Sequence, residues 1–243
     1  MTRWLLAAQS VIGYPSKTLL EDAHAYCQME DGFCGVISDG AGSASQASFA
    51  SHWVVHEGLL MLKHSFVDIS VDSFEPILSG VLKKLRDDLQ SRAIEDGQAL
   101  CEYACTGLFF VIKNRTLFFA QVGDGFAVTG FEGVYTLRVL GERGEYVNET
   151  NFLVDTPLKL QITIVADPVD FLAIGTDGLE SVSIEKKEGT AFEGFFKPFD
   201  LYLASCPTAI EAEKELQSFL SSEALLKRSR DDKTLFIART LGA

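Results

Sequence analysis

Three times in this chain an apolar, strand-like run gives way to a small residue and then to Asp-Gly. The runs are Val36-Ile37-Ser38-Asp39-Gly40, Gln121-Val122-Gly123-Asp124-Gly125 and Ala173-Ile174-Gly175-Thr176-Asp177-Gly178. A fourth acidic site, Asp231-Asp232, immediately precedes the apolar run Thr234 to Ala238. A fifth, Glu21-Asp22, stands before Ala23-His24-Ala25-Tyr26, where an early strand could begin. Taken singly, each Asp-Gly is a turn signal, since Asp tolerates turn geometry and Gly supplies positive φ. Taken together they constrain the fold, because the ends of neighbouring strands can converge on one spot. Carboxylates brought together repel unless protonated or neutralised, and no Arg or Lys accompanies each one. Convergence therefore calls for a cation.

The rest of the chain indicates what carries these strand ends. Helical periodicity follows Ser45, with Ala47, Ala50, Val54, Gly58 and Met61 on one stripe. A second helix is predicted from Ser73 as N-cap with Pro76 in its first turn, burying Leu78, Val81, Leu82, Leu85 and Leu89. A third starts near Pro207-Thr208 and buries Ala212, Leu216, Phe219 and Leu220. Strands are expected at Gly35-Val36-Ile37, at Cys105 to Ile112 with Thr116 to Val122 as a hairpin, and at Phe126 to Thr129 and Val134 to Val139. Gln161 to Ala166 and Phe171 to Thr176 read as a further pair, and Thr234 to Ala238 as the last strand. The stretch from Glu142 to Leu160 is polar and turn-rich and fits neither period. There is no βαβα alternation, so a parallel doubly wound sheet is disfavoured; helices grouped between hairpin strands indicate α+β with antiparallel sheets. No linker composition interrupts the 243 residues, so one domain spanning 1–243 is expected.

Charge and cysteine usage exclude several classes. With 34 acidic and 21 basic residues the net charge is −13, a field that repels a nucleic-acid backbone and suits cations. The N-terminal run Trp4 to Ala8 is too short for a signal peptide, and no stretch approaches the ~18 apolar residues of a membrane span, so a cytoplasmic protein without a membrane is expected. Five cysteines, odd in number and without a C-x-x-C pair, read as reduced thiols. Cys101 and Cys105 could share a helical face, but a zinc site would need two more ligands. His52, His56 and His64 fall on the first helix without the H-E-x-x-H pattern and read as ordinary helix residues.

Oxygen ligands without His or Cys favour Mg²⁺ or Mn²⁺ over zinc. Two such ions ~4 Å apart can bind a bridging water, lower its pKa and hold a phosphoryl oxygen for in-line attack. Nucleophilic alternatives are poor: there is no G-x-S-x-G elbow and no Cys-x5-Arg loop.

At these acidic sites the sequence resembles the metal-dependent protein phosphatases, the protein phosphatase 2C family. Glu21-Asp22-Ala23-His24 is similar to the family's early Glu-Asp motif, and Asp39-Gly40-Ala41-Gly42 to its Asp-Gly-x-Gly. Thr106-Gly107 falls where the family places a Gly-Thr or Thr-Thr before a strand. Val122-Gly123-Asp124-Gly125, Thr176-Asp177-Gly178-Leu179 and Asp231-Asp232-Lys233-Thr234 follow in the family's order. Asp39 to Ser43, Gly123-Asp124-Gly125 and Gly144 to Thr150 resemble a bacterial branch most. The resemblance implies a sandwich of two antiparallel sheets flanked by helices, four layers αββα, with a dimetal centre of Mn²⁺ or Mg²⁺. It implies that Asp39 bridges both metals, that the Gly40 carbonyl binds one, that Asp177 and Asp231 complete the other's shell, and that Glu21 and Asp22 act through water. Lys17 stands where many members carry a phosphate-binding Arg.

Three departures qualify what carries over. Ala41 replaces the His of some members, so no general acid is visible there. Ser181 replaces another Asp, leaving a third metal on Asp124 short of a ligand. Gly125 replaces the usual Ser, and no Arg follows. The resemblance thus implies a phosphoserine/phosphothreonine protein phosphatase opposing a Ser/Thr kinase, with a catalytically weak binding or regulatory module as the alternative. The basic run Lys227-Arg228-Ser229-Arg230 reads either as a solvated loop or as a guide for an anionic phosphopeptide.

Overall fold

The computed structural model describes residues 3–14, 17–141 and 150–241. Strands β1 (Arg3–Val11), β2 (Ala23–Met29) and β3 (Gly32–Ser38) come first, then helices α1 (Ala47–Ser65) and α2 (Phe74–Glu95). Strands β4 (Gly107–Lys113), β5 (Thr116–Val122), β6 (Phe126–Phe131) and β7 (Val134–Leu140) follow. Next are β8 (Gln161–Val165), β9 (Phe171–Gly175), the short helix α3 (Glu180–Ser183) and the ribbon strands β10 (Ile184–Glu185) and β11 (Thr190–Ala191). Helices α4 (Glu193–Ser205), α5 (Ala209–Leu220) and α6 (Glu223–Leu226) precede β12 (Lys233–Leu241). The chain divides into two compact units, each built on its own five-stranded antiparallel sheet with helices, which is the α+β class that the sequence predicts.

The first unit gathers Met1–Leu20, Gly125–Leu140 and Asp167–Ala243, with strand order β1-β12-β9-β6-β7. Its β6–β7 hairpin turns at Glu132 and Gly133, both at positive φ (50° and 78°), the twist that two-residue hairpins favour. Helix α5 starts where the sequence puts it, with the Thr208 hydroxyl accepting the Glu211 amide, and buries Ala212, Leu216 and Leu220. Phe219, expected in the core, is 37% exposed; its ring lies edge-on to Phe195 and Phe199 at the outer margin of an aromatic cluster. Besides the short α3, β10, β11 and α6, two longer elements escape sequence reading. Strand β1 is a nearly continuous buried run without alternation, and α4 carries Pro198 inside it, a residue that argues against a helix interior.

The second unit gathers Glu21–Asp124 and Gly141–Ala166, with strand order β2-β3-β4-β5-β8. Helices α1 and α2 bury the stripes that periodicity predicts, from Ala47 to Gly58 and from Leu78 to Leu89, against Val36, Phe109, Val111 and Phe118. Each fully buried Leu or Val of the α2 stripe contributes roughly 1.5–3 kcal/mol relative to exposure. Ser73 precedes α2 as expected but does not cap it: its hydroxyl donates to the Asp68 carbonyl. The β4–β5 turn places Asn114 and Arg115 at positive φ.

One expected pairing is corrected. Strands β8 and β9 do not pair with each other; β8 pairs with β5, and β9 lies between β12 and β6. Between them, Pro168 lacks an amide donor and the Asp170 amide bonds to the Gly130 carbonyl, which directs the chain to β6.

Candidate functional site

In the second unit the sheet register gathers the acidic residues at one end. Ala23 pairs with Ser38 across the β2–β3 hairpin, so Asp22, just before β2, and Asp39, just after β3, leave adjacent strands side by side. The Asp39 peptide is held on both sides by Thr106: its amide donates to Thr106 Oγ1 at 2.9 Å and its carbonyl accepts the Thr106 amide at 2.8 Å. Ser38 Oγ donates to the Thr106 carbonyl at 2.6 Å. The Gly40 amide donates to the Glu21 carbonyl at 3.1 Å, tying the two acidic motifs together. Gly40 has no room for a side chain, since a Cβ there would lie 2.7 Å from the Ala47 carbonyl oxygen at the start of α1. Asp22 is fully buried, whereas Glu21 and Asp39 are half-buried.

Asp124 belongs to the same end of this sheet but not to the same column. It follows β5, which is separated from β3 by β4, so at about 4.8 Å per strand it starts roughly 10 Å from the Asp39 position. Its carboxylate accepts the Thr150 hydroxyl at 2.6 Å. Residues 144–149 of the Gly144 to Thr150 motif lie outside the described residues.

In the first unit the same logic operates on β1, β12 and β9. Leu235 pairs with Gly175 and Val11 with Lys233, which brings the end of β9, the start of β12 and the end of β1 to one edge. Asp177 opens a 3-10 turn after β9, and Asp231-Asp232 leads into β12. The two loops touch at Gly178, where a Cβ would lie 2.0 Å from the Asp232 carbonyl oxygen. The Thr234 amide donates to Thr176 Oγ1 at 2.9 Å, and the Thr176 amide to the Thr234 carbonyl at 3.2 Å. Lys233 is fully buried, and its ammonium donates to the Asp231 carbonyl at 2.6 Å. Asp231 itself is exposed; Asp232, 1% exposed, accepts the Lys17 ammonium at 2.9 Å and the Gly13 amide at 2.8 Å. Asp232 and Lys233, beyond their place in a motif, are what sequence reasoning missed; nothing in the spacing marks Asp232 as the partner of Lys17.

Other candidates resolve differently. Leu100–Tyr103 is a 3-10 turn with Cys101 exposed, while Cys105 is buried in a bridge opposite Gly40, so the two share no helical face. Burial, with the Asp39 charge adding to it, pushes the Cys105 thiol up to about 12, which keeps it protonated and unsuited to act as nucleophile or thiolate ligand. Of the basic run, Lys227 pairs with Glu223 at 2.9 Å and Arg230 lies 5.3 Å over the Tyr14 ring. His52 Nδ1 contacts the Ser48 carbonyl one turn back, as an ordinary helix residue. Among the described residues, no group of three or more His, Cys, Asp or Glu side chains is arranged to hold a metal ion, and no helix is long and apolar enough to cross a membrane.

Comparison with known proteins bears on the same residues. The sequence profile of the family described as protein phosphatase 2C matches residues 14–221, most of the chain. That span includes Lys17, Glu21, Asp22, Asp39, Asp124 and Asp177 and stops short of Asp231. Serine/threonine-protein phosphatase 3 of Escherichia coli (strain K12) is 25% identical over 97% of this chain and 98% of its own. The fold resembles that of the serine/threonine phosphatase Stp1 from Staphylococcus aureus, with a TM-score of 0.72, 18% identity, and 99% and 96% of the two chains covered. RsbX in complex with magnesium is a more distant likeness, with a TM-score of 0.60 and 13% identity over 99% of this chain and 100% of that one.

Proposed function

The chain belongs to the protein phosphatase 2C family, a family of protein serine/threonine phosphatases, and we propose that it hydrolyses phosphoserine and phosphothreonine in proteins with the help of two divalent cations, Mn²⁺ or Mg²⁺. The observation that carries this is the strand register within each unit, which brings Asp22 beside Asp39 and the Asp177 loop against the Asp231-Asp232 loop. The donor set is all oxygen, the kind that hard divalent cations take. Asp39, the Gly40 carbonyl, Asp177 and Asp231 would be ligands, with Glu21 and Asp22 acting through water. When bound, the cations supply a water of lowered pKa and positive charge for the phosphoryl oxygens.

The protein's own residues do the positioning. Thr106 fixes the Asp39 peptide from both sides, and Gly40 and Gly178 allow backbone approaches that a Cβ would prevent. Lys17 would meet the substrate phosphate as a point charge. Asp124, roughly two strand spacings from Asp39, could serve a third cation only with a further ligand, and Ser181 does not supply one. The substrate would be the product of a Ser/Thr kinase. The net charge of −13 speaks against nucleic acid, and five free cysteines fit a reducing, cytoplasmic setting.

The test is phosphate release by wild type from a phosphothreonine peptide, a phosphotyrosine peptide and p-nitrophenyl phosphate, with Mn²⁺ and after chelation. The expected result is Mn²⁺-dependent turnover of the phosphothreonine peptide, abolished by the chelator. Turnover that survives complete chelation, or none on any substrate, would contradict the proposal; the second result would instead favour a binding or regulatory module.

A further inference from the structure

Lysine at position 17 raises a physical problem. An arginine grips a phosphate through a planar fork, while a lysine is a point charge on a flexible four-carbon stem that loses more freedom when it must act in one place. The first unit contains a device that removes this freedom. Asp232 is 1% exposed, and its two carboxylate oxygens are divided between the Gly13 amide at 2.8 Å and the Lys17 ammonium at 2.9 Å. Both are charge-assisted bonds; the one to Gly13 is buried, and the one to Lys17 joins a side chain 27% exposed to a carboxylate that is almost fully buried. The segment that carries Lys17 is itself seated on the same backbone. A Cβ at Gly13 would lie 2.0 Å from the Asp231 carbonyl oxygen, so only glycine permits the approach. The Lys17 amide donates to the Tyr14 carbonyl at 2.9 Å, and the Arg230 guanidinium covers the Tyr14 ring at 5.3 Å. The turn is thus held at Gly13, at Tyr14 and at Lys17, each time by the residues around Asp231.

We propose that Asp232 is a positioning residue for phosphate binding: by pairing with Lys17 it fixes the ammonium at the loop that leads into β12, so that the ion pair does for lysine what the guanidinium plane does for arginine. The proposal rests on the phosphatase reading, in which Lys17 meets the substrate phosphate. It gives Asp232 a role distinct from that of its neighbour, since Asp231 would hold a cation and Asp232 a side chain. It also makes Lys17 and Asp232 one functional unit, so that removing either charge removes the same contribution.

The experiment is a double-mutant cycle on Lys17→Gln and Asp232→Asn. KM and kcat for p-nitrophenyl phosphate and the inhibition constant of inorganic phosphate are measured at saturating Mn²⁺, with phosphate binding also read by calorimetry. Each single variant is expected to raise KM and weaken phosphate about five-fold with kcat within about two-fold, and the double variant to match the singles. Lys17→Arg is expected to restore the wild-type KM. Three results would overturn the proposal: a further five-fold loss on adding Asp232→Asn to Lys17→Gln, an unchanged KM in Asp232→Asn, or tighter phosphate binding in that variant. Should Asp232→Asn fail to fold, Asp232→Ser takes its place, which removes the charge and keeps a small polar side chain. A wild type that binds phosphate without turning over substrate would remove the phosphatase reading, and the calorimetric cycle would then judge the ion pair by itself.

Discussion

Replacing Asp39 by Asn is expected to lower kcat/KM for a phosphothreonine peptide at least about 100-fold at saturating Mn²⁺, with the fold intact. The magnitude has a floor: removing a mere partner of a metal ligand already costs about 10–100-fold, and here a ligand loses its charge. A factor of 100 corresponds to about 2.7 kcal/mol of lost transition-state stabilisation. The fold should survive because the links holding position 39 to Thr106 are made by its main chain, which Asn retains. Asp177→Asn is expected to behave in the same way, since the turn it opens is closed by the Leu179 amide on the Thr176 carbonyl. Melting temperatures within a few degrees of wild type, alongside the lost activity, are the combined signature. Asp124→Asn should have the smallest effect of the three, given its place two strands from β3.

A larger structural penalty is expected from Gly178→Ala. The added methyl would sit 2.0 Å from the Asp232 carbonyl oxygen and 3.3 Å from Lys233 Cγ. Neither neighbour can yield easily, because one is backbone and the other is the stem of a fully buried lysine. The two loops bearing Asp177 and Asp231 must therefore separate. Overpacking of this kind costs about 1–3 kcal/mol of stability. A displacement of about 1 Å in a positioning element costs about 100-fold in rate. Gly80→Ala is the matched control. Gly80 is exposed within α2, nothing lies within 4 Å of its Cβ direction, and alanine there should stabilise the helix by about 0.5–1 kcal/mol without changing activity. Urea denaturation and initial rates on the two variants check both halves of this contrast; a Gly178→Ala protein as active as wild type would show that the loops need not touch.

Much of the fold could be read from periodicity. Helix α2 buries the stripe its spacing predicts, and α1 and α5 do so except at Met61, which is half-buried, and Phe219, because each is an amphipathic helix with one apolar face. The β4–β5 hairpin is likewise evident in its turn, and β6 and β7 in their short apolar runs. What could not be read has physical reasons. Strand β1 is buried along most of its length and so shows no alternation. Pro198 masks α4, whose aromatic spacing is otherwise helical. The partners of β8 and β9 depend on which strand each reaches after Pro168, and local sequence does not specify that. At the candidate site, the acidic residues stand out because Asp-Gly at strand ends is a local signal. Thr106 and Asp232 act through contacts 67 and 215 residues away in sequence, and no spacing rule reports such contacts. The acidic motifs at strand ends could be picked out from the chain; the lysine that Asp232 holds could be found only in the structure.

On the proposed function, carboxylates at strand ends hold two divalent cations. Calorimetric titration of the metal-free protein with Mn²⁺ tests it most directly. Two ions per chain are expected for wild type, with at least one site lost in Asp39→Asn. A wild type that takes up no Mn²⁺, or an Asp39→Asn variant that binds as many ions as tightly, would contradict it.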